Sequence, residues 1–232
     1  QAEVEDRERP GAYHDIDFGL ESGETFTIST TRPELLPACI AVVAHPDDER
    51  YKDLFGQFAI TPLFYERVPI LPAEHADPEK GSGILMVCTF GDSMDVEWWK
   101  QQSIPLKQII GRDGRLLPLN FAEKPFECVN IKAASKNYQQ LEGLHVKKAQ
   151  KEIAVLLASP ESSVNKKEAA MKNEPRPIEH PVKFYEKGDV PLEFIPTRQW
   201  FIEIVKHKKD FIKQGKAIQW HPPYMAKRYE NW

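Results

Sequence analysis

The alternation of apolar and polar positions predicts many short strands in the first half of the chain. The apolar run at residues 84–88 lies between glycines, which is typical of a buried strand. Residues 25–31 are rich in β-branched side chains and follow an alternating stretch at 13–18, so the two predict a hairpin that turns at 21–24. Further strands are predicted at residues 40–45, 58–63, 68–72 and 105–110, and a short helix is predicted to start at residue 46.

The second half of the chain has a different pattern. Apolar residues recur near helical spacing between residues 135 and 158. Residues 159–177 are polar and rich in proline, which predicts a mobile linker. A small hairpin is predicted at 181–195, then a helix up to residue 213 and another from residue 224, whereas the charged residues 1–9 predict an incoming linker. The expected fold class is therefore mixed α/β and β-rich, with a barrel or sandwich followed by a smaller α+β segment.

The stretch from Gly81 to Trp99 carries the first candidate chemistry. Its Gly-Ser-Gly start lets backbone approach backbone or a ligand closely. After the apolar run, Asp92 and Asp95 lie at a predicted helix start, where the helix dipole favours ionised acids. Two fixed carboxylates could bind an ammonium group or orient a water molecule. They could instead be a capping pair with no ligand, which the spacing alone favours, or Asp92 could cap the helix while Asp95 points into a pocket.

A second candidate site lies at the end of the predicted strand 25–31. Thr30 and Thr31 supply hydroxyls and Arg32 supplies a guanidinium group. Together these groups can hold a carbonyl, a ribose hydroxyl or a phosphate. A threonine-rich strand end with a surface arginine is the alternative.

Composition and charge exclude several classes of protein. The 232 residues include 31 basic and 35 acidic side chains. The chain therefore lacks the overall excess of basic residues that is typical of nucleic-acid-binding proteins. Three cysteines without C-x-x-C spacing argue against a disulfide framework or a zinc site and fit a reducing, cytoplasmic setting. The histidines have no ligand spacing, and no apolar run reaches membrane-spanning length. The first residue is Gln1 and the last is Trp232, so we expect a fragment of a longer protein.

The order of these motifs resembles the editing insertion shared by the valyl-, isoleucyl- and leucyl-tRNA synthetases. The similarity rests on Thr-Thr-Arg-Pro-Glu at 30–34, His-Pro-Asp-Asp-Glu-Arg-Tyr at 45–51, Gly-Ser-Gly at 81–83 and Asp-x-x-Asp at 92–95. It extends to Gln-Trp-Phe at 199–201 and Glu-Asn-Trp at 230–232, so it covers essentially the whole chain and favours the valyl group.

This resemblance implies a β-barrel with flanking helices that hydrolyses mischarged tRNA. The implied parts are an editing barrel at 1–140, a helix and polar linker at 141–179, and a hairpin with helices at 180–232 that return toward an absent catalytic domain. The expected substrate is tRNA(Val) mischarged with threonine, and the expected fragment is a monomer with no membrane partner. No metal or other cofactor is expected in the fragment, since ATP and magnesium belong to the parent's catalytic domain, which ligates valine to tRNA(Val).

The resemblance also implies roles for individual residues. Asp95 matches the aspartate that holds the substrate ammonium, and Asp92 matches its partner near the substrate hydroxyl. Thr30, Thr31 and Arg32 match the strand that lines the ester and the terminal adenosine. The remaining implied substrate-binding positions are Lys80, Gly81, Gly83 and Met86.

Four positions depart from the common pattern of that family and indicate a variant pocket: Lys80, Met86, Cys88 and Gly91. Three alternatives stay open at this point. The chain could be an isoleucyl editing domain, a tRNA-binding module that has lost hydrolysis, or a structural barrel in which the two aspartates only cap a helix.

Overall fold

The computed structural model describes residues 3–88, 104–165, 168–197 and 199–231. The chain forms two compact units, Gln1–Pro196 and Thr197–Trp232. Each is described separately below. The predicted division at residues 140 and 179 stays a prediction, although the last strand of the first unit, Arg176–Tyr185, is paired with its first strand, Val4–Leu20.

The first unit is built on one curled, mostly antiparallel sheet of seven strands. The strands run β1 to β7 in chain order, and their spatial order is β2-β1-β4-β5-β3-β6, with β7 paired to the first half of β1. Among the strands in the described residues, β3 and β5 are the one parallel pair. The strand bounds are β1 Val4–Leu20, β2 Thr25–Thr30, β3 Cys39–Ala44, β4 Phe58–Ile60, β5 Arg67–Pro72, β6 Ile84–Cys88 and β7 Arg176–Tyr185. The prediction of a β-rich mixed fold is confirmed.

The hairpin of β1 and β2 forms as predicted. Its register runs from His14 opposite Thr30 to Gly19 opposite Thr25. Alternate side chains, including Ile16 and Phe18, are fully buried on the inner face. On the outer face, Thr27 and Ser29 each donate a hydrogen bond of 2.6 Å to an aspartate of β1. Period-two alternation therefore fixes which residues enter the core.

In the described part of the first unit, two α-helices contribute residues to the main hydrophobic core. Helix α1 spans Ile131–Tyr138 and begins at Asn130, whose side chain accepts a hydrogen bond from the Ala133 amide. Helix α2 spans Val146–Leu157 and buries four residues at helical spacing, namely Val146, Ala149, Ile153 and Leu157. The helical pattern predicted for 135–158 is thus divided by a turn at Gly143, whose φ of 72° lies in the left-handed region.

Four local predictions are wrong. The charged residues 4–9 belong to β1, because β7 pairs with them over their full length. Residues 105–110 form no strand and contribute only the bridge from Ile110 to Leu116. A helix does not start at Pro46: turns lead to a single 3-10 turn at Lys52–Leu54. The described part of 159–177 is packed rather than detached, since Ser162 and Ala170 are fully buried.

The second unit contains α3, Lys208–Ala217, and α4, Met225–Glu230, after a 3-10 turn at Val205–His207. The two helices meet at Gly215, where the Tyr229 ring packs so closely that a side chain would collide with it. The Trp220 indole donates a 2.7 Å hydrogen bond to the Gly215 carbonyl, which fixes the connection between the helices. The predicted break near residue 220 is confirmed. In the described part of the chain, no helix is long and apolar enough to cross a membrane.

Candidate active site

The end of β2 brings Thr30, Thr31 and Arg32 into a tight turn that enters a 3-10 helix at Pro33–Ala38. The Thr30 hydroxyl accepts a hydrogen bond of 3.1 Å from the Arg32 amide, so this hydroxyl orders the turn. Helix α2 holds the next residue, because the Gln150 side chain donates 2.8 Å to the Thr31 carbonyl. The two threonines are therefore fixed in position by backbone contacts, while both side chains stay partly accessible.

The Arg32 guanidinium bridges two carboxylates. Its Nε donates to Glu34 Oε1 at 2.9 Å, and its Nη2 donates to Glu193 Oε2 at 2.8 Å. The Glu34 side chain is only 2% exposed, whereas those of Arg32 and Glu193 are 26% and 21% exposed. Glu193 lies 161 residues further along the chain than Arg32. One arginine thus connects the strand end to the segment that leaves the first unit.

Burial and charge act in opposite directions on this cluster. Burial lowers the pKa of Arg32, but the carboxylates of Glu34 and Glu193 raise the pKa above its usual value, so the guanidinium stays charged. Burial raises the pKa of Glu34, and Arg32 offsets only part of that rise. With two carboxylates around one guanidinium, the cluster has no excess positive charge to attract a phosphate. Arg32 is instead arranged for directional hydrogen bonds.

The Gly-Ser-Gly turn lies against the same strand. The Ser29 amide donates 3.1 Å to the Ser82 hydroxyl, and that hydroxyl donates 2.8 Å to the Ile84 carbonyl. The hydrogen bond from Ser29 to Ser82 links the turn before β6 to β2. Because β2 and β6 lie at opposite ends of the strand order, this contact brings the two edges of the curled sheet together. The Tyr51 hydroxyl also holds the turn, because it donates a hydrogen bond of 2.7 Å to the Ser82 carbonyl.

Both glycines of this turn are required by geometry. Gly81 has a φ of 63°, and a Cβ there would lie 2.9 Å from the Cβ of Ser29. Gly83 has a φ of 80°, and a Cβ there would collide with the Arg50 guanidinium and the Pro78 carbonyl. The close approach predicted from the sequence is confirmed, and its partner is the β2 strand. Lys80, which precedes the turn, is exposed.

Strand β6 carries Met86 and Cys88 into the barrel interior. Met86 is 8% exposed and Cys88 is 3% exposed, and both belong to the main core cluster. The Cys88 thiol donates 3.4 Å to the Leu35 carbonyl, three residues after Arg32. The end of β6 therefore meets the turn that follows β2. The predicted carboxylates, Asp92 and Asp95, lie outside the described residues, so their predicted roles stay predictions.

Sequence reasoning missed three groups that hold this site: Glu34, Gln150 and Glu193. Glu34 belongs to the threonine-rich motif, but only its acidic side chain suggested a role in the site. Gln150 lies on α2, and Glu193 lies in a predicted hairpin, so no local pattern relates either of them to β2. The described residues include no group of three or more His, Cys, Asp or Glu side chains arranged to hold a metal ion. The expectation of a site without metal stays a prediction.

Comparison with known proteins agrees with the resemblance. The family model "Leucyl-tRNA synthetase, editing domain" matches residues 41–158, about half of the chain. The whole chain is similar to valine--tRNA ligases, with 47% identity to that of Leifsonia xyli subsp. xyli (strain CTCB07) and 45% to those of Thermobifida fusca (strain YX) and Salinispora arenicola (strain CNS-205). These alignments cover 100% of this chain and 25% to 26% of each relative.

A solved structure shows a weaker likeness. The ternary complex of Agrobacterium radiobacter K84 agnB2 LeuRS with tRNA and LeuAMS has a TM-score of 0.44 and 16% identity, covering 77% of this chain and 20% of that chain. The chain spans about a quarter of the length of the curated relatives it matches. On the match to the family model, the chain belongs to the editing-domain family of the aminoacyl-tRNA synthetases.

Proposed function

We propose that the chain removes threonine from mischarged tRNA(Val) by hydrolysing the ester between the amino acid and the terminal ribose. The observation that carries this proposal is the meeting of two motifs. The Gly81–Gly83 turn touches Ser29, beside the Thr30–Arg32 strand end, and Cys88 touches Leu35 in the following turn. Four residues after Cys88 the chain reaches Asp92.

The proposed reaction needs a water molecule and several polar groups. Water attacks the ester carbonyl carbon, the bond from that carbon to the ribose oxygen breaks, and the ribose oxygen takes a proton. Threonine and free tRNA are the products. Asp95 holds the substrate ammonium, while Thr30, Thr31 and Arg32 donate hydrogen bonds to oxygens on which charge develops.

Editing of threonine has a clear physical reason in a valine enzyme. Threonine replaces one methyl group of valine with a hydroxyl of similar size, and a pocket shaped for valine rejects it only weakly; this pair is the standard example of the limit. A second pocket can reverse the preference by hydrogen-bonding the hydroxyl, because valine would leave those buried polar groups without partners. Asp92 is the proposed reader of the hydroxyl.

The test uses the full-length protein that contains this chain. Hydrolysis is followed for three substrates: threonyl-tRNA(Val), valyl-tRNA(Val) and valyl-tRNA(Ile). We expect threonine to be released from tRNA(Val) at least about 100-fold faster than valine. Faster release of valine from tRNA(Ile) would indicate an isoleucyl editing domain. Binding of all three without release would contradict hydrolysis and support a tRNA-binding module.

A further inference from the structure

We propose that Glu193 is a positioning residue for the editing reaction, and that it acts by holding the Arg32 guanidinium. This inference rests on the proposed function, because the effect is measured on ester hydrolysis. Glu193 lies on residues 190–196, the segment that leads out of the first unit, and not on either motif of the candidate site. Its carboxylate nevertheless reaches the end of β2.

The contacts of Arg32 leave one part of its guanidinium available. Nε is taken by Glu34 and Nη2 by Glu193, so among the described residues no hydrogen-bond partner occupies Nη1. The guanidinium is planar, and two anchored nitrogens therefore fix the direction of the third. A substrate oxygen can then meet a donor that is already oriented. If the hydrogen bond to one glutamate were removed, the guanidinium could rotate about its hydrogen bond to the other glutamate.

The two carboxylates differ in what they can do. Glu34 is buried two residues after Arg32, and its Oε2 accepts no hydrogen bond from a described residue. It is therefore the fixed, buried partner of the cluster. Glu193 is partly exposed and comes from a distant segment. Its backbone is held at Leu192, whose amide donates 2.8 Å to the Lys183 carbonyl on β7. Glu193 is thus placed by β7 and completes the cluster from outside.

Glu193 lies beside a cavity as well as beside Arg32. Residues 190–193 and 195 line a cavity of about 310 Å³ together with residues 111–114 and 145–147. The Glu193 side chain is 21% exposed, and its Oε2 lies 2.8 Å from Arg32 Nη2. A glutamine at this position would fill the same volume but would lose the charge that orients the guanidinium.

Glu186 offers a matched control. It lies between β7 and residues 190–196, its side chain is 31% exposed, and its carboxylate pairs at 3.3 Å with the neighbouring Lys187 rather than with the strand end. Glu186→Gln removes one surface charge from the segment without touching Arg32. Because exposed pairs of this kind contribute little, we expect neither stability nor hydrolysis to change.

The experiment measures single-turnover hydrolysis of threonyl-tRNA(Val) by the full-length protein at saturating enzyme, with thermal unfolding of each variant. We expect Glu193→Gln to lower the rate constant about tenfold, and Glu193→Asp, which keeps the charge, to lower it less than about threefold. A merely structural role would shift the unfolding temperature and leave the rate constant of the folded enzyme unchanged.

A double-mutant cycle with Arg32→Lys shows whether Glu193 acts through Arg32. Lysine cannot bridge two carboxylates in a plane, so Glu193→Gln should cause no further loss in that background. Two results would overturn the inference. In the first, the rate constant of Glu193→Gln stays within about twofold of that of the unsubstituted protein. In the second, Glu193→Gln lowers the rate constant by the same factor in the Arg32→Lys background. Failure of the unsubstituted protein to release threonine would overturn the proposed function and this inference together, and is recognised without any variant.

Discussion

Two groups of paired charges in the first unit have similar chemistry and different surroundings. At the end of β2, Arg32 pairs with Glu34 and Glu193 and remains partly exposed. Inside the barrel, Lys107 donates 2.6 Å to Glu66 and 2.8 Å to the Cys39 carbonyl, and its side chain is 8% exposed. Both pairs leave one buried glutamate oxygen without a partner among the described residues. The difference in exposure separates a pair that can meet a substrate from one that holds the core together.

Residues 105–110 supply the cation of the interior pair but form no strand. The sequence there is apolar enough to predict one, but Lys107 must turn inward to reach Glu66 and the β3 carbonyl. Lys107 thus connects the segment to the core through its side chain, and the described backbone forms only the single bridge of Ile110 with Leu116. By contrast, Arg32, the cation that pairs with Glu34 and Glu193, lies in the turn that follows β2.

The largest predicted effect is on the interior pair. Lys107→Met leaves Glu66 buried without its cation, and we expect the free energy of unfolding to fall by about 3–5 kcal/mol. The measurement is urea denaturation at pH 9, above the raised pKa of Glu66, where the folded protein holds the charged pair. Adding Glu66→Leu to the same chain should recover most of the loss, because the double variant buries no charge. A loss below about 1 kcal/mol for the single variant would show that the pair does not hold the core.

The second prediction concerns pH. Burial raises the pKa of Glu66 to about 8, and Lys107 offsets only part of that rise. The folded state then binds a proton that the unfolded state releases near its ordinary pKa of 4.5. Stability from this group is therefore full below pH 4.5 and is lost as the pH rises through about 8.

This pH dependence is checked by denaturation at pH 5, 7 and 9. Glu66→Gln should flatten the decline across this window, because glutamine does not titrate. The other titratable groups are the same in both proteins, so their contributions to the pH dependence of stability cancel when the two are compared. An equal decline in the variant would mean that Glu66 is not the source.

The smallest predicted effect sharpens the strand-end side of the comparison. Gly81→Ala places a Cβ against Ser29 at a φ of 63°, and we expect a loss of about 1–3 kcal/mol in unfolding free energy. Gly143→Ala is the control, since its φ is 72° and a Cβ there meets nothing within 4 Å. The difference between the two variants isolates contact with β2. Equal losses would assign the whole effect to backbone strain.

The sequence predicted local elements well and distant contacts poorly. The β1–β2 hairpin, β6 and the buried face of α2 follow from periodicity within a few residues. The pairing of β1 with β7 joins segments more than 160 residues apart, and no periodicity specifies it. Residues 4–9 are charged because this part of the ribbon is mostly exposed, and the same charges suggested a linker.

The candidate site shows the same limit. Thr30, Thr31, Arg32 and the two glycines could be named because their residue types suggest chemistry or close backbone approach. Glu193 and Gln150 could not, since a glutamate in a hairpin and a glutamine on a helix have no special local pattern. What joins them to β2 is the course of the whole chain.

The measurement that tests the central claim most directly is hydrolysis of threonyl-tRNA(Val) by the full-length protein with and without Asp95→Ala, together with the unfolding free energy of both. If the strand end and the segment after β6 form one editing site, the substitution should lower the rate constant at least about 100-fold, since it removes the anchor for the substrate ammonium, and should leave stability nearly unchanged. A loss of about 1 kcal/mol in stability with full hydrolysis would contradict the account, because that is the result expected of a helix cap alone.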